Sequence, residues 1–290
     1  MIKPQDILVT GGHGRLGRAL GALGCSAPGR DTLDIASQES ILRALDTYAP
    51  QAIINCAAYT AVDRAEDEPQ LAYALNRDAA ANLATVCHQR RIPLVHISTD
   101  CVFGDGDIAR PVTEHDPTGP LSVYGESKLE GEHAVLAAGR QRVCIARICW
   151  LFDAEADSFI RKIIEAAKTR DTLQLVSDAY GRPTPVAALA EQILKLATRM
   201  GNGMPTPEIL HFGARDPVNR FEWAKVIFAK SVALGGPSPD LIPSHSDAFP
   251  ERARRPRNLI MDVGTASALI GDLPDWREAT ESVVAALLGR

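Results

Sequence analysis

Short apolar runs alternate along the chain with longer segments in which apolar residues recur every three to four positions. The short runs include ILVT, AIINCAA and LVHIS, and none of them alternates apolar with polar residues. Unbroken apolar runs of this length are typical of strands buried on both faces of a parallel sheet. They predict strands at Asp6–Thr10, Gln51–Ala57, Pro93–Ser98 and Val143–Arg147. The longer segments predict helices at Gly14–Leu23, Ser37–Tyr48, Gln70–Arg90 and Val123–Ala138. This alternation predicts an α/β fold with a doubly wound parallel sheet.

The second strand of such a sheet is expected within Gly21–Arg30, although this segment is poor in β-branched residues. After Trp150 the regular alternation fades, and Pro and Gly punctuate the chain. Helices are expected there at Asp157–Thr169, Val186–Met200 and Phe221–Leu234. We therefore expect a dinucleotide-binding, Rossmann-like domain over residues 1–150. Residues 151–290 are expected to form mainly a smaller substrate-binding lobe, with segments that interleave with the first domain.

Composition narrows the class of protein. Apolar residues make up 46% of the 290 residues, charged residues 23%, and the net charge is −5. This balance is ordinary for a globular protein and does not favour nucleic acid or an anionic membrane as a partner. The six cysteines contain no CxxC pair, so we expect reduced thiols, no bound metal and a cytoplasmic location. No signal-peptide pattern opens the chain, and no apolar run reaches the ~18 residues of a membrane span.

A glycine-rich turn follows the first predicted strand in ILVTGGHGRLGRAL. Glycines at these spacings let backbone N–H groups approach a pyrophosphate, and the following helix directs its positive N-terminus at that anion. The flanking strand and helix make this a predicted dinucleotide site. The residues expected to bind the cofactor here are Gly11, Gly14, Arg15, Leu16 and Gly17.

Two further groups have the chemistry of carbonyl reduction. Tyr124 and Lys128 are four residues apart, so a helix places them on one face. An adjacent ammonium is expected to lower the pKa of a tyrosine that donates a proton to an alkoxide. Thr99 ends a predicted strand, where its hydroxyl can orient the substrate oxygen. For the adenosine ribose, Arg30 weakly favours NADPH, while Asp34 is the candidate carboxylate for the ribose hydroxyls, so NADH stays possible.

These motifs resemble the extended short-chain dehydrogenase/reductase family over nearly the whole chain, and within it the dTDP-4-dehydrorhamnose reductases. The most specific matching segments are AIINCAAYTAVDRAEDEP, VHISTDCVFGD, PLSVYGESKLEGEHAV and ARRPRN. The resemblance implies NADPH-dependent reduction of the 4-keto group of a nucleotide-linked 6-deoxyhexose. It implies roles for further residues as follows: Thr99, Tyr124 and Lys128 as the catalytic trio; Ala57, Ala58, Tyr59, Tyr124 and Lys128 at the cofactor; Thr60, Val62, Asp100 and Trp150 at the sugar; and Asn76 on a supporting helix.

Some positions depart from the family pattern. Cys101 stands where the family usually has tyrosine, and Ile148 and Cys149 stand where it often has Thr-Ser. The first helix has Ala19 and no carboxylate, so the magnesium of some family dimers is not expected, and the chain is predicted to be a monomer or homodimer. Three alternatives stay open at this point: reduction of another nucleotide 4-keto sugar, epimerisation of such a sugar, and a non-catalytic NADP-binding role like the regulatory subunit of methionine adenosyltransferase.

Overall fold

The structure is a computed structural model that describes residues 1–139, 142–155 and 158–289. In chain order the strands are β1 Ile7–Thr10, β2 Ala52–Asn55, β3 Leu94–Thr99, β4 Val143–Ile148, β5 Leu151–Phe152, β6 Thr172–Val176, β7 Tyr180–Gly181, β8 Thr184–Pro185, β9 Ile209–Phe212, β10 Val218–Asn219 and β11 Asp240–Ser244. The helices are α1 Arg15–Ala22, α2 Gln38–Tyr48, α3 Val62–Ala65, α4 Pro69–Tyr73, α5 Ala80–Arg90, α6 Val123–Gly139, α7 Phe159–Ala167, α8 Val186–Gly201, α9 Arg220–Ala233, α10 Gly264–Ile270 and α11 Trp276–Leu287.

The central sheet is parallel and has the order β1-β2-β3-β4-β9 within the described residues. Its strands are almost wholly buried, because helices cover both faces. One apolar cluster lies under α1 and α8, and a second lies under α2, α5 and α6. The predicted doubly wound α/β class is confirmed.

The prediction of a strand within Gly21–Arg30 is wrong, because this segment forms only an isolated bridge. Ser26 alone pairs with β1: its N–H donates to the Ile7 carbonyl at 3.0 Å, and its carbonyl accepts from Val9 N at 2.8 Å. Pro28 follows two residues later and has no N–H with which to continue the ladder. Its carbonyl instead accepts from Gly12 N at 3.1 Å, which ties this edge to the glycine-rich turn.

The helix predicted over Gln70–Arg90 is continuous but mixed. It runs through α4, a π-helical stretch at Ala74–Ala79, and α5. The helix predicted over Asp157–Thr169 corresponds to α7, and Asp157 itself lies outside the described residues.

The second half of the chain contributes to the central sheet and its helices, and it also forms a separate apolar cluster. α8 packs against α1 and the central sheet, and β9 forms its far edge. A separate cluster under α7, α9 and α11 contains Trp223 and Trp276, with the β6–β11 pair beside it. The division into residues 1–150 and 151–290 stays a prediction, and β9 shows that central-sheet strands continue beyond residue 150.

Candidate active site

The opening turns of α6 carry Tyr124 and Lys128 on the face that packs on the sheet. Ser122 supports the helix start, because its Oγ accepts from Gly125 N at 3.2 Å. Tyr124 is 8% exposed and Lys128 is 2% exposed. Asn76 fixes the back of this helix by donating from Nδ2 to Ser127 Oγ at 3.0 Å while its Oδ1 accepts from Tyr59 N at 2.8 Å. Asn76 thus contacts α6 from the π-helical stretch, the position that the family resemblance implies.

Lys128 Nζ points at the sheet. It donates to the Ile97 carbonyl at 2.7 Å and lies 3.4 Å from His96 Nε2. Burial lowers the pKa of Lys128 to about 8, with Glu132 and Cys56 acting in the opposite direction. Lys128 therefore changes charge close to neutral pH.

Tyr124 does not have the lowered pKa that the sequence predicted. Burial raises its pKa above the usual value, and a hydrogen bond with the Thr99 side chain only partly offsets that effect. The reason is geometric, since the Lys128 amine is directed at Ile97 and His96. The phenol therefore stays protonated through the neutral range.

Thr99 and Asp100 end β3 beside Tyr124. Thr99 Oγ1 donates to Asp100 Oδ1 at 3.1 Å and also accepts from Cys101 N at 3.2 Å. Burial raises the pKa of Asp100 to about 6, while the hydrogen bonds from Thr99 and Cys101 lower it. A carboxyl group that titrates near neutral pH thus stands one residue from Thr99.

These groups face one cavity of about 410 Å³. Among the residues predicted for the site, the cavity is lined by Gly14, Arg15, Leu16, Gly17, Ala58, Thr60, Thr99, Asp100, Tyr124, Lys128 and Trp150. The other predicted residues lie outside this lining, and they are Gly11, Arg30, Asp34, Ala57, Tyr59 and Val62. Arg30 and Asp34 form an ion pair of 3.3 Å at the surface. The Tyr59 hydroxyl donates to Glu68 at 2.7 Å.

Comparison with known proteins shows which family the chain belongs to. The RmlD substrate binding domain family matches residues 5–288. The chain belongs to this family. A dTDP-4-dehydrorhamnose reductase from Sinorhizobium fredii is 34% identical, over 97% of both chains. A dTDP-4-keto-6-deoxy-D-glucose reductase from Streptomyces niveus is 35% identical, over 94% of this chain and 90% of the relative. A dTDP-4-dehydrorhamnose reductase structure from Bacillus anthracis, in complex with NADP, superposes with a TM-score of 0.84 at 30% identity, covering 97% of this chain and 98% of that one.

The glycine-rich turn of this family member fits a dinucleotide. Gly11 has φ +68°, and a Cβ added there would lie 2.8 Å from Ala57 N. A side chain at this position would therefore strain the turn and collide with the backbone at Cys56 and Ala57. Gly14 is the N-cap residue of α1 and has no side chain to cap the helix, so the first N–H groups of α1 are left for a ligand on the cavity side.

A second cavity of about 810 Å³ adjoins the first through Trp150. Arg220 stacks on the Trp150 ring at 3.6 Å from its centroid and lines this cavity. Three arginines of the ARRPRN segment line it as well, and these are Arg254, Arg255 and Arg257. Asp247 and Glu251 line it too, and each of the three arginines pairs with a carboxylate, but basic side chains outnumber acidic ones on the lining.

Three contacts of the site were not predicted from the sequence. In the acidic run after Thr60, Asp63 pairs with Arg255 at 2.8 Å and Asp67 pairs with Arg252. Arg220, which no sequence motif marks, stacks on Trp150. His96 is a buried residue of an apolar run and contacts Lys128. Only the opposite charges of the acidic run and ARRPRN could have indicated one of these contacts.

The departures from the family pattern lie around the same space. Ile148 and Cys149 line the first cavity, and Cys101 packs in the cluster that contains Tyr124. All six cysteines are described and are free thiols. In the described ranges, no group of His, Cys, Asp or Glu is arranged to hold a metal ion. Within those ranges, too, every helix is too short or too polar to cross a membrane.

Proposed function

We propose that this protein reduces the 4-keto group of dTDP-4-dehydro-L-rhamnose to give dTDP-L-rhamnose, with NADPH as the hydride donor. The observation that carries the proposal is one cavity in which Tyr124, Lys128 and Thr99 face the glycine-rich turn. Membership of the family and the names of its relatives support the same reaction. The six free thiols favour a cytoplasmic location.

The protonation states suit reduction. With NADPH bound at the glycine-rich turn, the nicotinamide would be the source of the hydride for the carbonyl carbon. The buried phenol of Tyr124, protonated at neutral pH, donates its proton to the oxygen that becomes an alkoxide. The Thr99 hydroxyl, bonded to Tyr124, orients that oxygen. Below pH about 8 Lys128 is an ammonium in the same cavity; it is hydrogen-bonded to the Ile97 carbonyl and not to Tyr124, so it stabilises the tyrosinate that remains through its electrostatic field alone.

The two adjoining cavities suit the two halves of the substrate. The 4-keto sugar belongs in the first, next to Tyr124 and Asp100. The nucleotide diphosphate belongs in the second, where Arg220 and Arg255 offer charge-assisted hydrogen bonds to phosphate oxygens. Trp150 forms the wall between them and fixes where the sugar meets the nucleotide.

The test follows NADPH absorbance after addition of enzymatically generated dTDP-4-dehydro-L-rhamnose, with NADH and with dTDP-4-keto-6-deoxy-D-glucose in parallel. We expect Tyr124→Phe to lower kcat by about 10²- to 10⁴-fold, because the proton donor is lost. NADPH binding, followed by fluorescence, should stay close to that of the unmodified protein.

Tyr48→Phe, on α2 and outside the cavity lining, is the matched control and should keep full activity. Full activity in Tyr124→Phe would contradict the role of Tyr124. NADPH binding without oxidation by either sugar would contradict the proposed reaction and favour a non-catalytic role.

A further inference from the structure

A row of buried polar residues crosses the sheet beneath α6. Thr10, Asn55 and His96 occupy paired positions on β1, β2 and β3. Each is at most 1% exposed. Buried polar side chains must find hydrogen-bond partners, so the order of donors and acceptors along this row is constrained.

The first link of the row fixes the Asn55 amide. Thr10 Oγ1 donates to Asn55 Oδ1 at 2.5 Å, and Ala57 N donates to the same oxygen at 3.2 Å. With Oδ1 facing two donors, Asn55 Nδ2 faces the next strand. It lies 2.9 Å from His96 Nδ1 and donates to it.

The second link fixes the His96 ring. Burial and the nearby Lys128 hold the pKa of His96 well below its usual value, so the ring is neutral. Since Nδ1 accepts from Asn55, the single ring proton is on Nε2. Nε2–H then faces Lys128 Nζ at 3.4 Å.

This contact distinguishes the two forms of Lys128. A neutral amine has a lone pair that can accept from Nε2–H, whereas an ammonium has only donors. The Ile97 carbonyl accepts from Nζ in either form. His96 therefore favours the amine and keeps Nζ in place over the sheet.

We propose that Thr10, Asn55 and His96 are a positioning chain that lowers the proton affinity of Lys128 and thereby sets the alkaline limit of turnover. The inference rests on the proposed reductase function and deepens it. The other charged or titratable groups that act on Lys128 or line its cavity are Glu132, Cys56, Tyr124, Asp100, Arg15 and Cys149, and none of them belongs to the row of Thr10, Asn55 and His96. The row also connects Lys128 to the glycine-rich turn, since Thr10 directly precedes Gly11.

The activity test compares His96→Gln with His211→Gln. A glutamine at position 96 presents Oε1 to the Lys128 ammonium, which stabilises the charged form. The alkaline limb of kcat/KM should therefore move to higher pH by about one unit. His211 is a buried histidine of β9 that contacts Arg147, and its replacement should leave the limb unmoved. If the alkaline limb of kcat/KM fell at the same pH in His96→Gln and in the unmodified protein, the proposal would be overturned.

Two NMR measurements need no turnover, so they separate this proposal from the reaction itself. ¹⁵N shifts of the His96 ring in the unmodified protein should show a neutral ring with its proton on Nε2. A proton on Nδ1, or a charged ring at pH 7, would overturn the argument even if His96→Gln failed to fold. Titration of the Lys128 side-chain resonance, assigned with Lys128→Met, should show a higher pKa in His96→Gln, and an unchanged value would count against the chain.

Discussion

Asp100 is a carboxyl group whose charged form the fold disfavours. Its carboxyl group faces the cavity at the end of β3, and burial raises its pKa to about 6. An unfolded aspartate has a pKa of about 3.9. The native state therefore holds this proton more tightly than the unfolded state. The contribution of Asp100 to stability is present below pH about 4 and is lost as the pH rises to about 6.

Asp100→Asn should accordingly stabilise the protein above neutral pH. Asparagine keeps an oxygen that accepts from Thr99 and removes the charge that burial disfavours. We expect the melting temperature at pH 8 to rise by about 3 °C, with little change at pH 4. Scanning calorimetry at the two pH values measures this difference, and an equal shift at both would show that the charge is not the cause.

The shared helix face of Tyr124 and Lys128 could be predicted, but their ionisation could not. The four-residue spacing of Tyr124 and Lys128 determines that they share a helix face. The direction of the Lys128 amine depends on Ile97 and His96, which lie about thirty residues earlier in the chain, on strand β3. Local sequence carries no information about such a contact, so the predicted lowering of the Tyr124 pKa was wrong.

At the scale of elements, one loop segment is held across the second cavity by ion pairs. We call residues 251–257 the arginine segment. Its Arg255 pairs with Asp63, and its Arg252 pairs with Asp67, both from the region of α3. Exposed pairs of this kind contribute only about 0–1 kcal/mol each to stability. Their effect is thus on the position of the segment more than on the fold.

Replacing both Asp63 and Asp67 with asparagine should raise the KM for the nucleotide sugar about 3- to 10-fold while kcat stays nearly constant. Arg255 then loses its partner Asp63 and is held less firmly at the cavity, while contacts with Asp105 still tie the arginine segment to the fold. The melting temperature should change by less than about 2 °C. Glu39→Gln, which breaks the exposed Arg43 pair on α2, is the matched control for lost charge. A fall in kcat at constant KM would contradict this role.

The regular elements were predictable to the extent that local signals determined them. Buried runs such as those of β2 and β3 have no alternative to a central strand, and Ser37 caps α2 at the predicted start. The two-residue strands β5, β7, β8 and β10 have no such signal, because pairing with distant segments defines them. The strand predicted within Gly21–Arg30 is reduced to a single bridge at Ser26 for a local reason. Pro28 has no N–H and cannot extend the hydrogen-bond ladder.

At the scale of the whole molecule, the central sheet is completed by the second half of the chain. α8 covers one face with Leu189, Ile193 and Leu196, and β9 protects the edge of β4. Neither element lies within residues 1–150. The chain leaves the central layer after Leu151 and returns at nearly the same point, because Leu151 pairs with Thr184. The first cavity is therefore built on a central sheet whose strands and covering helices come from both halves of the chain.

A fragment of residues 1–150 should consequently fail to fold or to bind NADPH. Without α8 and β9, one apolar sheet face and the β4 edge would be exposed to water, which favours aggregation. A matched variant joins residues 1–152 to residues 184–215 through a short Gly-Ser linker, which the Leu151–Thr184 pairing allows. This variant restores both elements, so we expect it to be soluble and to unfold in one cooperative transition. Circular dichroism with thermal melting and NADPH fluorescence compares the two chains. A cooperative transition in the shorter fragment would show instead that residues 1–150 are a complete domain.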